Sequence, residues 1–145
     1  MNLSKNFTLE EMTATNKHLP NVPSEEEIEN LTQLVKHVLQ PLRDKFGRPI
    51  HINSGFRSLE VNKEEGGCLN PISQHCKGEA ADLDSDDNAT LFHLIRFEFN
   101  FDQLIWEGGN SSQPAWVHVS YKTEGNRKQP LKMVIVEREK LYLPV

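Results

Sequence analysis

Cysteine is scarce in this chain. Cys68 and Cys76 are the only two among 145 residues, too few for the disulfide framework that braces small secreted domains. In a reducing compartment both remain thiols. No stretch approaches the roughly 20 apolar residues of a membrane-spanning helix, so no membrane partner is expected. Positive charge is short as well: 16 Lys and Arg face 21 Asp and Glu, a formal net charge of −5. Proteins that neutralise phosphates usually carry the opposite balance, so nucleic acid is not an expected partner. The N-terminal segment lacks the apolar run of about 7–15 residues that marks a secretory signal. Neither internal repeats nor low-complexity tracts interrupt the chain.

What is present is an ordinary globular composition, 37% hydrophobic and 26% charged, in a length that suits one domain over residues 1–145. Ser24 and Glu27 are spaced as a capping box. After them Ile28, Leu31, Leu34, Val35, Val38, Leu39, Leu42 and Phe46 recur at helical spacing. Gly47 is placed to end that helix, and Pro41 is expected to kink it. A second helix is expected over 89–97, capped by Asp87 or Asn88. Strands are expected over 49–53, 80–84, 102–106, 116–121 and 132–137, with loops over 57–79 and 107–114. The predicted fold is α+β: a small, mostly antiparallel sheet with helices packed on one face.

The chemistry concentrates in Ser73-Gln74-His75-Cys76-Lys77-Gly78-Glu79-Ala80-Ala81-Asp82. An imidazole and a carboxylate seven residues apart can meet at one ion if the chain turns between them, and Gly78 permits that turn. Ala80, Asp82 and Asp84 alternate onto one face of their strand. His118, which shares its face with Trp116 and Ser120, is the best third ligand. Three protein ligands with one open position is the arrangement of a catalytic zinc, which lowers the pKa of its bound water to about 7 and polarises a carbonyl. Cys76 adjoins His75 too closely for both side chains to reach one ion. The remaining histidines, His18, His37, His51 and His93, have no ligand-like spacing.

The pattern Ser-x-His-x-x-Gly-x-Ala-x-Asp, with a later His in Trp116-Val117-His118, resembles the zinc D-Ala-D-Ala carboxypeptidase family. That family includes phage L-alanyl-D-glutamate endolysins and D,D-dipeptidases. Asn53-Ser54-Gly55-Phe56-Arg57-Ser58 is similar to the family's Ser-Gly-(Tyr/Phe)-Arg-Ser segment, and the likeness runs from about Phe7 to about Val136. It implies that His75, Asp82 and His118 hold Zn2+ at the sheet, and that Arg57 steadies a substrate carbonyl or carboxylate.

Some family members carry an acidic residue three positions before the last ligand, and others a His or Asp two before it. Here those positions hold Ala115 and Trp116, which cannot move protons. Glu107, at the end of a strand expected to lie near His118, is the preferred general base, with Asp102 and Asp84 behind it. Ser73 and Trp116 are candidate substrate contacts.

The expected function is hydrolysis of a peptidoglycan stem-peptide bond next to a D-amino acid, by a D,D-carboxypeptidase or an endolysin-type endopeptidase. The expected partner is the stem peptide, and the chain is expected to be a monomer. Lack of an export signal points to a cytoplasmic protein or to a phage or prophage lysin released to the wall. The alternative is a non-catalytic zinc-containing module that binds wall peptides or serves in a phage structure.

Overall fold

Two capping boxes start the first helices of the computed structural model, which describes residues 1–145. Thr8 accepts the Glu11 N–H while the Glu11 carboxylate accepts the Thr8 N–H, opening α1 (Leu9–Met12). Ser24 and Glu27 exchange the same pair of bonds at the start of α2 (Glu25–Leu34). The helix then widens into a π turn over Val35–Leu39 and resumes as α3 (Gln40–Phe46). There the Gln40 N–H reaches back five residues to the Val35 carbonyl. The disturbance expected at Pro41 takes this form, because a wider turn accommodates a ring and a missing donor. Gly47, at φ 74°, closes α3 in the left-handed region.

Six strands form one sheet in the order β1-β2-β4-β3-β5-β6. They are β1 (His51–Ser54), β2 (Ala80–Asp84), β3 (Gln103–Glu107), β4 (Trp116–Ser120), β5 (Gln129–Val136) and β6 (Glu139–Pro144). Every neighbouring pair is antiparallel except β3 and β5. Helix α5 (Asn88–Glu98) starts at Asp87, whose carboxylate accepts the Thr90 N–H.

Strand alternation divides the two faces. Ile52, Ala81, Leu83, Leu104, Trp106, Val117 and Val119 point to the helices and join Leu31, Leu34, Val38, Leu42, Leu91 and Ile95 in a single core cluster. Burying each large aliphatic side chain there contributes about 1.5–3 kcal/mol. The other face carries Asp82, Glu107 and His118, with Ile105, Leu131 and Met133 forming a small separate apolar cluster. The architecture is therefore α+β with helices on one face, and it leaves the opposite face for chemistry.

Several boundaries depart from the sequence expectation. The presumed loop 57–79 contains α4 (Leu59–Glu64) and a 3-10 turn (Gln74–Lys77), begun by Ser58 and Ser73. Each is too short for an apolar period to emerge. β6 had no counterpart in the expected strands. Its hairpin turns through Glu137 and Arg138, both at positive φ (52° and 69°), without the Asn or Gly that usually marks such a turn.

Candidate metal centre and active-site cleft

The turn between His75 and Asp82 is made possible by Gly78. Its φ is +73°, and a Cβ there would lie 2.4 Å from the Glu27 carbonyl oxygen. Glycine thus serves both the left-handed turn and the close approach of α2. Gly55 is similarly confined, since its Cβ would meet the Met12 carbonyl oxygen at 2.3 Å. Its own carbonyl accepts a hydrogen bond of 2.7 Å from His75 Nδ1. That bond fixes the tautomer and leaves Nε2 turned toward Asp82.

Asp82 and His118 are directly paired between β2 and β4. Asp82 Oδ1 lies 3.4 Å from His75 Nε2 and 3.1 Å from His118 Nδ1. The ligand atoms of the three residues all fall within 4.8 Å of one another. His75, Asp82 and His118 are only 4%, 8% and 9% exposed. Burial opposes ionisation of Asp82, but the charges and hydrogen bonds of His75 and His118 more than reverse it, holding the carboxyl well below its ordinary range. Two imidazoles and an ionised carboxylate converging at largely buried positions form a donor set that fits zinc.

Arg57 reaches the same carboxylate from the β1 side. Its Nη2 is 3.2 Å from Asp82 Oδ2, its Nε donates to Ser54 Oγ at 2.9 Å, and its Nη1 donates to Asn62 Oδ1 at 3.3 Å. Its backbone N–H donates to the His75 carbonyl. The guanidinium is therefore held on three sides beside the donor cluster.

Glu107 lies on the same face. It is paired with Trp116, while Ile105, two residues earlier, is paired with His118. This diagonal relation places Glu107 roughly 7–8 Å from His118 along the sheet. Glu107 is 7% exposed. Burial raises its pKa, the neighbouring Asp82 charge adds to that rise, and the His118 and Arg57 charges partly offset it. Trp116 is half-buried next to it. Ser73 starts the 3-10 turn by accepting the His75 N–H, so its hydroxyl positions the segment that carries His75.

The other two acidic candidates are differently engaged. Asp84 accepts a hydrogen bond from Asn88. Asp102 is fully buried and accepts from Gln74 Nε2 at 2.6 Å and from the Arg127 backbone N–H, Nε and Nη2. Burial opposes its ionisation, yet these bonds hold its pKa at about 2. Asp102 thus ties the residue before His75 to the segment after β4. Sequence reasoning missed Asn62, Gln74 and Arg127. A buried Asn in a short charged helix carries no periodic signal, and the Gln74–Asp102–Arg127 link joins distant stretches of chain.

No curated protein sequence matches the chain. The family model described as Peptidase M15 matches residues 5–120, a span that includes Arg57, the His75–Asp82–His118 cluster and Glu107. On that match the chain belongs to the peptidase M15 family, a family of zinc-dependent metallopeptidases.

Proposed function

We propose that this chain is a single zinc peptidase domain that hydrolyses a peptidoglycan stem-peptide bond next to a D-amino acid. The observation that carries the reading is the convergence of His75, Asp82 and His118 within 4.8 Å, on one sheet face with Glu107 and beside Arg57. In this reading the three residues hold Zn2+, which when bound supplies Lewis acidity and an acidified water. Arg57 holds the substrate carbonyl or carboxylate through its guanidinium. The buried Glu107 carboxylate accepts a proton in the cleft and returns it to the leaving amine, a role favoured by its raised pKa. Trp116, next to Glu107, lines the substrate path, and Ser73 orients His75 at its edge.

Purified peptidoglycan incubated with zinc-loaded protein tests this directly. Release of new amino termini by the wild type, and its loss in Glu107→Gln, is the expected result. Zinc binding without any release would favour the non-catalytic wall-binding module, a reading consistent with Ala115 and Trp116 standing where relatives place proton-transfer groups.

A further inference from the structure

Strand β6 lies beyond the span matched by the family model, residues 5–120, yet the sheet register brings it to the cleft. Met133 on β5 pairs with Glu107 on one side and with Tyr142 on the other. Trp116, Glu107, Met133 and Tyr142 therefore form one row across four strands, on the face that carries Asp82 and His118. Strands sit about 4.8 Å apart, so the Tyr142 backbone is roughly 10 Å from that of Glu107. Burial together with the Glu107 and Asp82 charges raises the Tyr142 pKa, so the hydroxyl stays protonated and remains a donor. The residue is 48% exposed, leaving part of the side chain open to a ligand. Arg57 follows β1 at one edge of the sheet, whereas Tyr142 lies on β6 at the other.

We propose that Tyr142 is a substrate-binding residue whose hydroxyl donates a hydrogen bond to an acceptor oxygen of a peptide lying over Glu107. Its ring, backed by Met133, walls the side of the cleft opposite Arg57. This inference rests on the stem-peptide reading given above. It adds a contact supplied by a C-terminal hairpin, so chains of this architecture that lack the hairpin would grip the same peptide less tightly.

The test uses a stem pentapeptide and zinc-loaded full-length protein. Calorimetric binding is measured in the Glu107→Gln background, with and without Tyr142→Phe or Tyr142→Ala. Cleavage kinetics are measured for the same two Tyr142 substitutions with Glu107 intact. Tyr142→Phe keeps the ring, and an unchanged melting temperature shows that the fold is preserved. Removing one hydrogen bond is expected to weaken binding by about 3- to 10-fold. The expected kinetic signature is a comparable rise in KM with kcat little altered, and Tyr142→Ala should lose more. Binding and KM unchanged by both substitutions, in a protein that binds and cleaves the peptide, would overturn the role of Tyr142 alone. No binding in the Glu107→Gln protein and no cleavage by the wild type would overturn the stem-peptide reading, and the Tyr142 contact with it.

Discussion

Arg57 and His75 divide the two oxygens of Asp82: Arg57 Nη2 lies 3.2 Å from Oδ2, and His75 Nε2 lies 3.4 Å from Oδ1. His118 Nδ1 joins the Oδ1 side at 3.1 Å. One carboxylate thus faces two imidazoles with one oxygen and a fixed guanidinium with the other. The arrangement orients Asp82 from both sides and brings Arg57 to the rim of the site.

Replacing Arg57 should therefore cost more than a charge. Arg57→Ala leaves Asp82 Oδ2 without its partner and is expected to lower kcat/KM by about 100-fold or more. Arg57→Lys should recover little, because a point charge cannot span Ser54, Asn62 and Asp82 together. Steady-state kinetics of the two variants provide the check. Recovery by Lys to near wild-type rates would show that charge alone suffices.

Zinc content should follow the donor cluster. The wild-type chain is expected to carry about one zinc and to lose thermal stability when a chelator removes it. His75→Ala, Asp82→Asn and His118→Ala should each bind far less metal and melt at a temperature that the chelator no longer changes. Elemental analysis paired with thermal unfolding reads both effects.

Glu107 predicts the acid limb of the activity profile. Its pKa is raised above the ordinary 4.5 by burial and by Asp82. A base must be ionised to accept a proton, so kcat/KM should fall as pH drops through the Glu107 pKa, which burial raises and the charge of bound zinc draws back down. Glu107→Gln should lower the rate by about 100- to 10,000-fold at every pH. A Glu107→Gln enzyme that retains both the rate and the limb would assign the proton transfer to another group.

Asp102 makes a prediction about stability. Its folded pKa of about 2 lies below the unfolded carboxylate value of about 3.9. The stabilisation is therefore complete above about pH 4 and is lost as pH falls toward about 2, by the sign of proton linkage. At neutral pH it amounts to about 2 kcal/mol. Asp102→Asn should lower the melting temperature by roughly 4–8 °C and flatten the acid-side decline. Since Asp102 holds Gln74, the residue before His75, the variant should also bind zinc more weakly.

Much of this site was legible because its signals are local. His75, Gly78 and Asp82 fall within one short segment, and strand alternation put His118 on a face with Trp116 and Ser120, whereas the pairing that brings it beside Asp82 and Glu107 is a matter of sheet register. The long helical stripe and the Ser24 capping box were equally plain. The residues that escaped notice act across the fold. Asn62 orients Arg57, and Arg127 meets Asp102 only after the chain has rounded β4. Tyr142 joins the row of Glu107 and Met133 only through a hairpin whose turn residues give no glycine signal. Short helices such as α4 are set by tertiary contacts, with buried Asn62 accepting from Arg57, and six residues are too few for periodicity to show.

The most direct measurement is mass spectrometry of purified peptidoglycan after incubation with the zinc-loaded protein, beside a His118→Ala control. The account predicts fragments cut at one stem-peptide bond flanked by a D-amino acid, present with the wild type and absent with His118→Ala. Intact peptidoglycan after incubation with protein that demonstrably carries zinc, or identical fragments from both proteins, would contradict it.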